Sequence, residues 1–352
     1  MFLIRRLVLF CGMCLSSVVT AQGSTDTVIT GAGATFPSEI YTKWANAFIK
    51  ERQIEVKYSP IGSGEGVKKI STNQVDFGAT DVPISAVDVA NKKFLQFPTL
   101  IGAVVPIVNL PSNRFRKLRL TGDVLAEIFS GQIDRWNHPR IRALNPASIL
   151  PSDRIVRIVR ADSSGTTAVF SQYLGLMNNN WASRYSIGNV VNWDSQVVMV
   201  GGNDGVIKAL QNTPYSISYT SFDRVIKHRL DYALLQNREG NFVEPTESGM
   251  QQAVRFSDMY RNANEYASLL NQKGAESWPI VTATFVLIDP KAKNESSTAS
   301  AMGFFFWAFR YGDGLLSGSG FSPLPTDLQA RVLRKFSSVQ FKDIGNHVKA
   351  YH

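Results

Sequence analysis

Three short turns carry the residue types from which an anion site can be made. Gly31-Ala32-Gly33-Ala34-Thr35-Phe36-Pro37 closes a strand-like run and opens a helical one, with Pro37 suited to the first helical turn. Gly62-Ser63-Gly64-Glu65-Gly66 and Asp162-Ser163-Ser164-Gly165-Thr166-Thr167 repeat the arrangement. In each, a hydroxyl and free backbone N–H groups sit at the positive end of a helix, and glycine lets the backbone come close to a ligand. Ser and Thr are also the preferred N-caps, so any one of these turns reads first as a capped helix. Three together, at strand ends where open α/β sheets bind ligands, point to an anion site. A fourth turn, Gly201-Gly202-Asn203-Asp204-Gly205, has no hydroxyl and reads as structural.

Other chemistries find no support. None of the turns continues into Gly-Lys-Ser or Gly-Lys-Thr, and Gly33 is not followed by a third glycine at dinucleotide spacing, so nucleotide binding is disfavoured. G-x-S-x-G does not occur, which removes the usual hydrolase nucleophile elbow. His138, His228, His347 and His352 are scattered and H-E-x-x-H is missing, so no metal site and no cofactor is expected.

The elements that must position these turns alternate along the chain. A run at Thr27 to Thr30 leads to a helix from Pro37 to about Arg52, where Ile40, Trp44 and Phe48 recur every fourth residue. Strand-like Glu55 to Tyr58 leads to a helix at Val67 to Thr72, and Val75 to Ala79 and Leu100 to Asn109 read as strands. Arg154 to Arg160 precedes a helix at Ala168 to Leu174, and Ile280 to Ile288 precedes one carrying Phe304, Phe305 and Trp307, a core group. This order predicts an α/β protein with mainly parallel sheets flanked by helices. The length, 352 residues, suits two lobes, with crossings expected at Leu100 to Asn109 and Ile280 to Ile288. The corresponding division is 22–105 with 283–352 for one lobe and 106–282 for the other.

Arg5 and Arg6 precede an apolar run from Leu7 to Val19 that ends in Val19-Thr20-Ala21, so residues 1–21 read as a secretory signal peptide cleaved near Ala21. Both cysteines, Cys11 and Cys14, fall inside it, and the exported chain would have no thiol chemistry and no disulfide. Cleavage takes two basic residues and leaves 35 against 28 acidic ones, a net +7. Basic residues come in short clusters such as Arg114, Arg116, Lys117 and Arg119, with no nucleic-acid signature beside them. A small anion is the more economical partner for this field than nucleic acid.

Six segments carry a family resemblance: Gly31 to Pro37, Gly62 to Lys68, Val75-Asp76-Phe77-Gly78-Ala79-Thr80-Asp81, Gln96-Phe97-Pro98, Arg160 to Thr166, and Trp278-Pro279-Ile280. In order and in combination the chain resembles the periplasmic phosphate-binding proteins of bacterial phosphate ABC transporters, in the type II periplasmic binding protein family. The resemblance implies a two-lobed Venus-flytrap fold joined by crossing strands and closing over one phosphate. It implies ligand contacts at Thr35, Phe36, Ser63, Asp81, Arg160, Ser164, Gly165 and Thr166, with Asp162 pairing with Arg160.

On that implication, Thr35, Ser63, Ser164 and Thr166 supply hydroxyls, Phe36 and Gly165 supply backbone N–H groups, and Arg160 forks onto phosphate oxygens. Asp81 opposes the anion. Ionised, it only accepts hydrogen bonds, and phosphate near neutral pH still has a proton to donate whereas sulfate has none, so Asp81 would reject fully deprotonated oxyanions. A helix-capping role near Val82-Pro83 is the alternative. A micromolar site needs about 8 kcal/mol, within reach of several charge-assisted bonds at roughly 1.5–3 kcal/mol each. The chain departs from the family pattern at Gly64, Glu65, Thr80 and Ser163; Glu65 is expected to point outward in the first helical turn.

The expectation is a periplasmic, monomeric, non-catalytic solute-binding protein that delivers inorganic phosphate to the inner-membrane permease subunits of an ABC transporter. The competing readings are an exported phosphatase, a surface protein on the same fold, and a binder of another tetrahedral oxyanion.

Overall fold

The computed structural model describes residues 28–110, 117–194, 196–292 and 294–339. The signal segment 1–21 and residues Arg114 and Arg116 of the basic cluster lie outside the described residues. The elements that build the site are β1 (Val28–Gly33), α1 (Ser38–Arg52), β2 (Glu55–Pro60), α2 (Ser63–Ser71), β3 (Phe77–Thr80), β4 (Leu95–Asn109), β5 (Val156–Arg160), α3 (Gly165–Met177), β6 (Val197–Val200), α4 (Gly202–Gln211), β7 (Ser216–Ser221), α5 (Phe222–His228), β8 (Val281–Ile288) and α6 (Glu295–Tyr311). Among the described residues no helix is long and apolar enough to cross a membrane.

The strands lie in the order β2-β1-β3-β8-β4-β7-β5-β6. Outer pairs are parallel, as the βα alternation requires: β1 with β2 and β3, and β5 with β6 and β7. The middle is antiparallel, with β8 between β3 and β4, and β4 beside β7. The sheet is therefore mixed. The antiparallel ladders arise where the long strand passes from one lobe to the other.

That strand is β4. Leu95 to Ala103 pair with β8, and Val104 to Asn109 pair with β7, so one fifteen-residue strand belongs to both lobes. Among the described residues β8 pairs with β3 and β4, on the first lobe's side. Its start is pinned to β4 where the lobes join: Val104 N donates to the Ile280 carbonyl and Trp278 Nε1 to the Val104 carbonyl, both at 2.9 Å. β4 and β8 are buried along almost their whole length, as strands covered on both faces must be.

Helix α1 buries Ile40, Trp44 and Phe48 at the spacing read from the sequence, and Tyr41 beside them. The aromatic group of α6 is core: the Phe305 ring meets Phe77 edge-on at 5.0 Å and Phe97 at 5.5 Å. Edge-to-face contacts of this kind add ~0.5–1.5 kcal/mol each beyond burial. With the Tyr41 ring, edge-on to Phe305 at 5.8 Å, they fix β3 and β4 against α1 and α6, and with them the turns that leave the strand ends.

Candidate functional site

The three turns meet between the lobes. After β1, Ala34 N donates to the Ala79 carbonyl at 2.9 Å and Tyr58 Oη to the Ala34 carbonyl at 2.6 Å, which ties the Thr35-Phe36 turn to both neighbouring strands. Thr35 Oγ1 accepts from Arg160 Nη2, on the opposite lobe, at 3.4 Å. Phe36 sends its ring into the core, edge-on to Phe321 at 5.3 Å, so only its backbone belongs to the turn. Ser63 is the first residue of α2, fully buried, and its Oγ accepts from Asp81 N at 3.3 Å. Asp81 follows β3 directly and is itself buried.

On the facing lobe, Arg160 ends β5 with its side chain almost wholly covered. Its Nε donates to Asp162 Oδ1 at 2.7 Å and Nη2 to Asp162 Oδ2 at 2.5 Å, while Nη1 donates to Asn203 Oδ1 at 2.9 Å. Ser164 caps α3 by accepting from Thr167 N at 3.1 Å. Capping uses a lone pair and leaves the hydroxyl proton to be donated elsewhere, so capping and ligand binding are compatible at Ser164. Thr166 Oγ1 is buried with no hydrogen-bond partner among the described residues.

Gly165 explains how the walls come so close. A β-carbon there would lie 2.3 Å from Ser63 Oγ and 2.7 Å from Asp81 Oδ2. Only a residue without a side chain lets the N-terminus of α3 reach the other lobe. Gly64 N donates to the Ser163 carbonyl at 3.2 Å beside this contact. Thr35 thus meets Arg160, Ser63 meets Asp81, and both of the latter meet Gly165. Asp162 holds Arg160, as the resemblance implies.

Burial pushes the Asp81 carboxyl up to about 7, a rise that hydrogen bonds from Thr284 and Ser63 and the Arg160 charge only partly offset. Asp162 shows the opposite balance: burial alone would raise it, but the hydrogen bonds and charge of Arg160 hold it below the usual carboxylate range. One carboxylate is thus committed to the arginine, and the other sits near its ionisation point. Glu65 points outward, half exposed, with Lys68 Nζ at 3.7 Å.

The sequence reading missed several supporting residues. Thr284 donates to Asp81 Oδ1 at 2.9 Å from 203 residues away in the chain. The turn read as structural holds the arginine in place: Asn203 accepts from Arg160, and Gly202 N donates to Asp162 Oδ1 at 2.9 Å. Its lack of a hydroxyl hid this, because its contribution is an amide oxygen and a backbone N–H. At the cleft rim, Arg224 Nη1 meets Glu39 Oε1 at 2.7 Å, and Arg224 Nη2 donates to Ser38 Oγ at 3.1 Å, linking α5 to α1 across the lobes.

Two α/β lobes that share a continuous strand and close on a buried arginine, a carboxylate and facing helix N-termini define a two-lobed solute-binding protein. Residues 19–310 match the model of the PBP superfamily domain. Over 308 residues the chain is 38% identical to the phosphate-binding protein PstS of Haemophilus influenzae, covering 86% of this chain and 91% of that one. Over 328 residues it is 35% identical to the phosphate-binding protein PstS of Pasteurella multocida, covering 93% and 94%. The fold is similar to a high affinity periplasmic phosphate-binding protein (PfluDING) solved with phosphate, with a TM-score of 0.71 and 18% identity over 92% of this chain and 98% of that one. The chain belongs to the PBP superfamily and, within it, to the family of PstS phosphate-binding proteins.

Proposed function

We propose that this chain captures inorganic phosphate between its lobes and delivers it to the permease subunits of an inner-membrane ABC transporter. The observation that carries the reading is the placement of a fixed, buried Arg160 and a buried Asp81 on facing lobes, where the N-termini of α2 and α3 meet. Arg160 offers fixed N–H donors, α2 and α3 offer backbone N–H groups in the dipole-favoured position, and the Thr35, Ser63, Ser164 and Thr166 hydroxyls supply the rest. Phe36 and Gly165 contribute backbone N–H, and Asp162 orients Arg160 from behind. Asp81, ionised, takes the proton that phosphate keeps near neutral pH.

The chain acts in the periplasm as a monomer after removal of its signal peptide near Ala21, with lobes formed by 22–105 plus 283–352 and by 106–282. It performs no catalysis: in this reading the Thr35, Ser63, Ser164 and Thr166 hydroxyls donate to the ligand rather than attack it. Calorimetric titration of ligand-stripped protein with phosphate and sulfate tests the reading. Tight phosphate binding, sulfate at least about a hundredfold weaker, and no release of phosphate from a chromogenic phosphomonoester are expected. Absence of phosphate binding overturns the function, and equal sulfate binding overturns the role of Asp81.

A further inference from the structure

Two hydroxyls of one strand converge on Asp81. Alternation along β8 places Thr282 and Thr284 on the same face, and the antiparallel pairing of Phe285 with Thr80 brings that face to the end of β3. Thr282 Oγ1 donates to the Asp81 carbonyl at 2.6 Å, and Thr284 Oγ1 to Asp81 Oδ1 at 2.9 Å. Thr284 is held in turn. Thr99 Oγ1 donates its one proton to the Thr284 carbonyl at 3.0 Å, so at its 2.8 Å contact with Tyr41 Oη the tyrosine is the donor. Thr99, Tyr41, Thr284 and Asp81 are all buried, so water does not compete for these bonds.

We propose that Thr284 is a specificity-determining positioning residue: by donating to Asp81 Oδ1 it keeps the carboxylate an acceptor and presents Oδ2 to the N-terminus of α3, so that only an oxyanion carrying a proton is accepted. The proposal rests on the phosphate reading above. The groups that bear on Asp81 are named by the structure. Burial raises it; among the opposing influences the Thr284 hydrogen bond comes first, followed by the Arg160 charge and the Ser63 hydrogen bond, while the Asp223 charge works with burial. Tyr41 and Tyr58, on α1 and β2, feel the Asp81 charge but are themselves neutral phenols pushed far up by burial. Without the Thr284 proton the carboxyl stays protonated to higher pH. A protonated carboxyl can donate, and a fully deprotonated oxyanion such as sulfate then becomes an acceptable ligand.

Thr284→Val keeps the shape and removes the hydroxyl, and Thr284→Ser keeps the hydroxyl. Phosphate and sulfate are titrated into each ligand-stripped protein between about pH 6 and pH 9, a range that brackets the ionisation of Asp81. In Thr284→Val the phosphate-over-sulfate preference should fall about tenfold near neutral pH, and its rise with pH should move upward by about one unit. Thr284→Ser should restore the wild-type profile. Should the valine variant not fold, Thr284→Cys, whose thiol is a weak donor, should give an intermediate profile. An unshifted preference profile in the valine or cysteine variant overturns the proposal, even if phosphate affinity falls equally at all pH values. Wild-type protein that binds no phosphate instead overturns the function on which the proposal rests.

Discussion

Arg160 and Asp162, separated by one residue at the end of β5, form a two-point ion pair with Nε–Oδ1 at 2.7 Å and Nη2–Oδ2 at 2.5 Å. The carboxylate is placed by its own hydrogen bond from Gly202 N, and the third guanidinium direction is filled by Asn203. The arginine is thus oriented before any ligand arrives, and the ordering cost is met in folding rather than in binding.

Replacing that carboxylate by an amide separates stability from affinity. In Asp162→Asn a buried guanidinium loses its counter-charge, which costs about 2 kcal/mol at a pair still open to solvent on one side and lowers the ligand-free Tm by ~4 °C. Phosphate affinity should change by less than about tenfold, because looser orientation weakens binding while the uncompensated positive charge strengthens it. Scanning calorimetry with and without phosphate checks both statements. The pair's stabilisation is also pH-dependent. The folded Asp162 ionises below the ordinary carboxylate range, so the contribution is complete above that range and is lost as pH falls through the depressed folded value. A variant with unaltered Tm would refute the anchoring role.

Arg224 bridges the two lobes at the rim. It lies on α5 in the second lobe, almost wholly buried, and meets Glu39 and Ser38 at the start of α1 in the first lobe; Lys227 Nζ reaches the same Glu39 oxygen at 2.7 Å. Glu39 is about a third exposed, so the cross-lobe pair is worth less than a fully buried one. Arg224→Met keeps most of the buried stem and removes the bonds. Phosphate should then dissociate about tenfold faster. Arg224 also meets Asp223 Oδ2 at 3.3 Å, whose charge bears on Asp81 only weakly, so the preference over sulfate should shift by less than about threefold. Stopped-flow fluorescence of the buried tryptophans supplies the rate. A lost preference with an unaltered rate would place Arg224 in the recognition machinery instead.

Much of this arrangement is visible in local sequence because it is made of local structures. Helix starts, strand ends and the Asp162 turn depend on residues within one or two turns of one another, and Ile40, Trp44 and Phe48 mark the buried face of α1 by spacing alone. Thr284 is not visible in this way. Its partner is set by the register of β8 against β3, and Val-Thr-Ala-Thr-Phe reads as an ordinary alternating strand. Asn203 escaped for a different reason, since an amide oxygen that orients a guanidinium leaves no pattern in a glycine-rich turn. The strand after Val75 begins at Phe77 and runs to Thr80, a shift that brings Asp81 to the strand end and into the core.

The position of Asp81 has a cost in the ligand-free protein that pH should reveal. In the unfolded chain an aspartate ionises near 3.8, whereas burial raises Asp81 to about 7 in the fold. Between those values the folded state holds a proton that the unfolded state has released, so stability falls as pH rises, and the full cost is reached above the folded value. Asp223, raised to about 6 by burial despite Arg224 beside it, acts in the same direction. Asp81→Asn removes one of the two contributions while its amide oxygen can still accept from Thr284. The ligand-free variant should melt ~4 °C above wild type at about pH 8 and close to it at about pH 4, with a shallower fall between them because only Asp223 remains. Added phosphate should narrow the gap at about pH 8, since the carboxylate gains a proton donor from the ligand that an amide does not need. Calorimetric scans of both proteins across this range decide the matter, and parallel pH profiles would show that Asp81 is ionised at little cost in the closed fold.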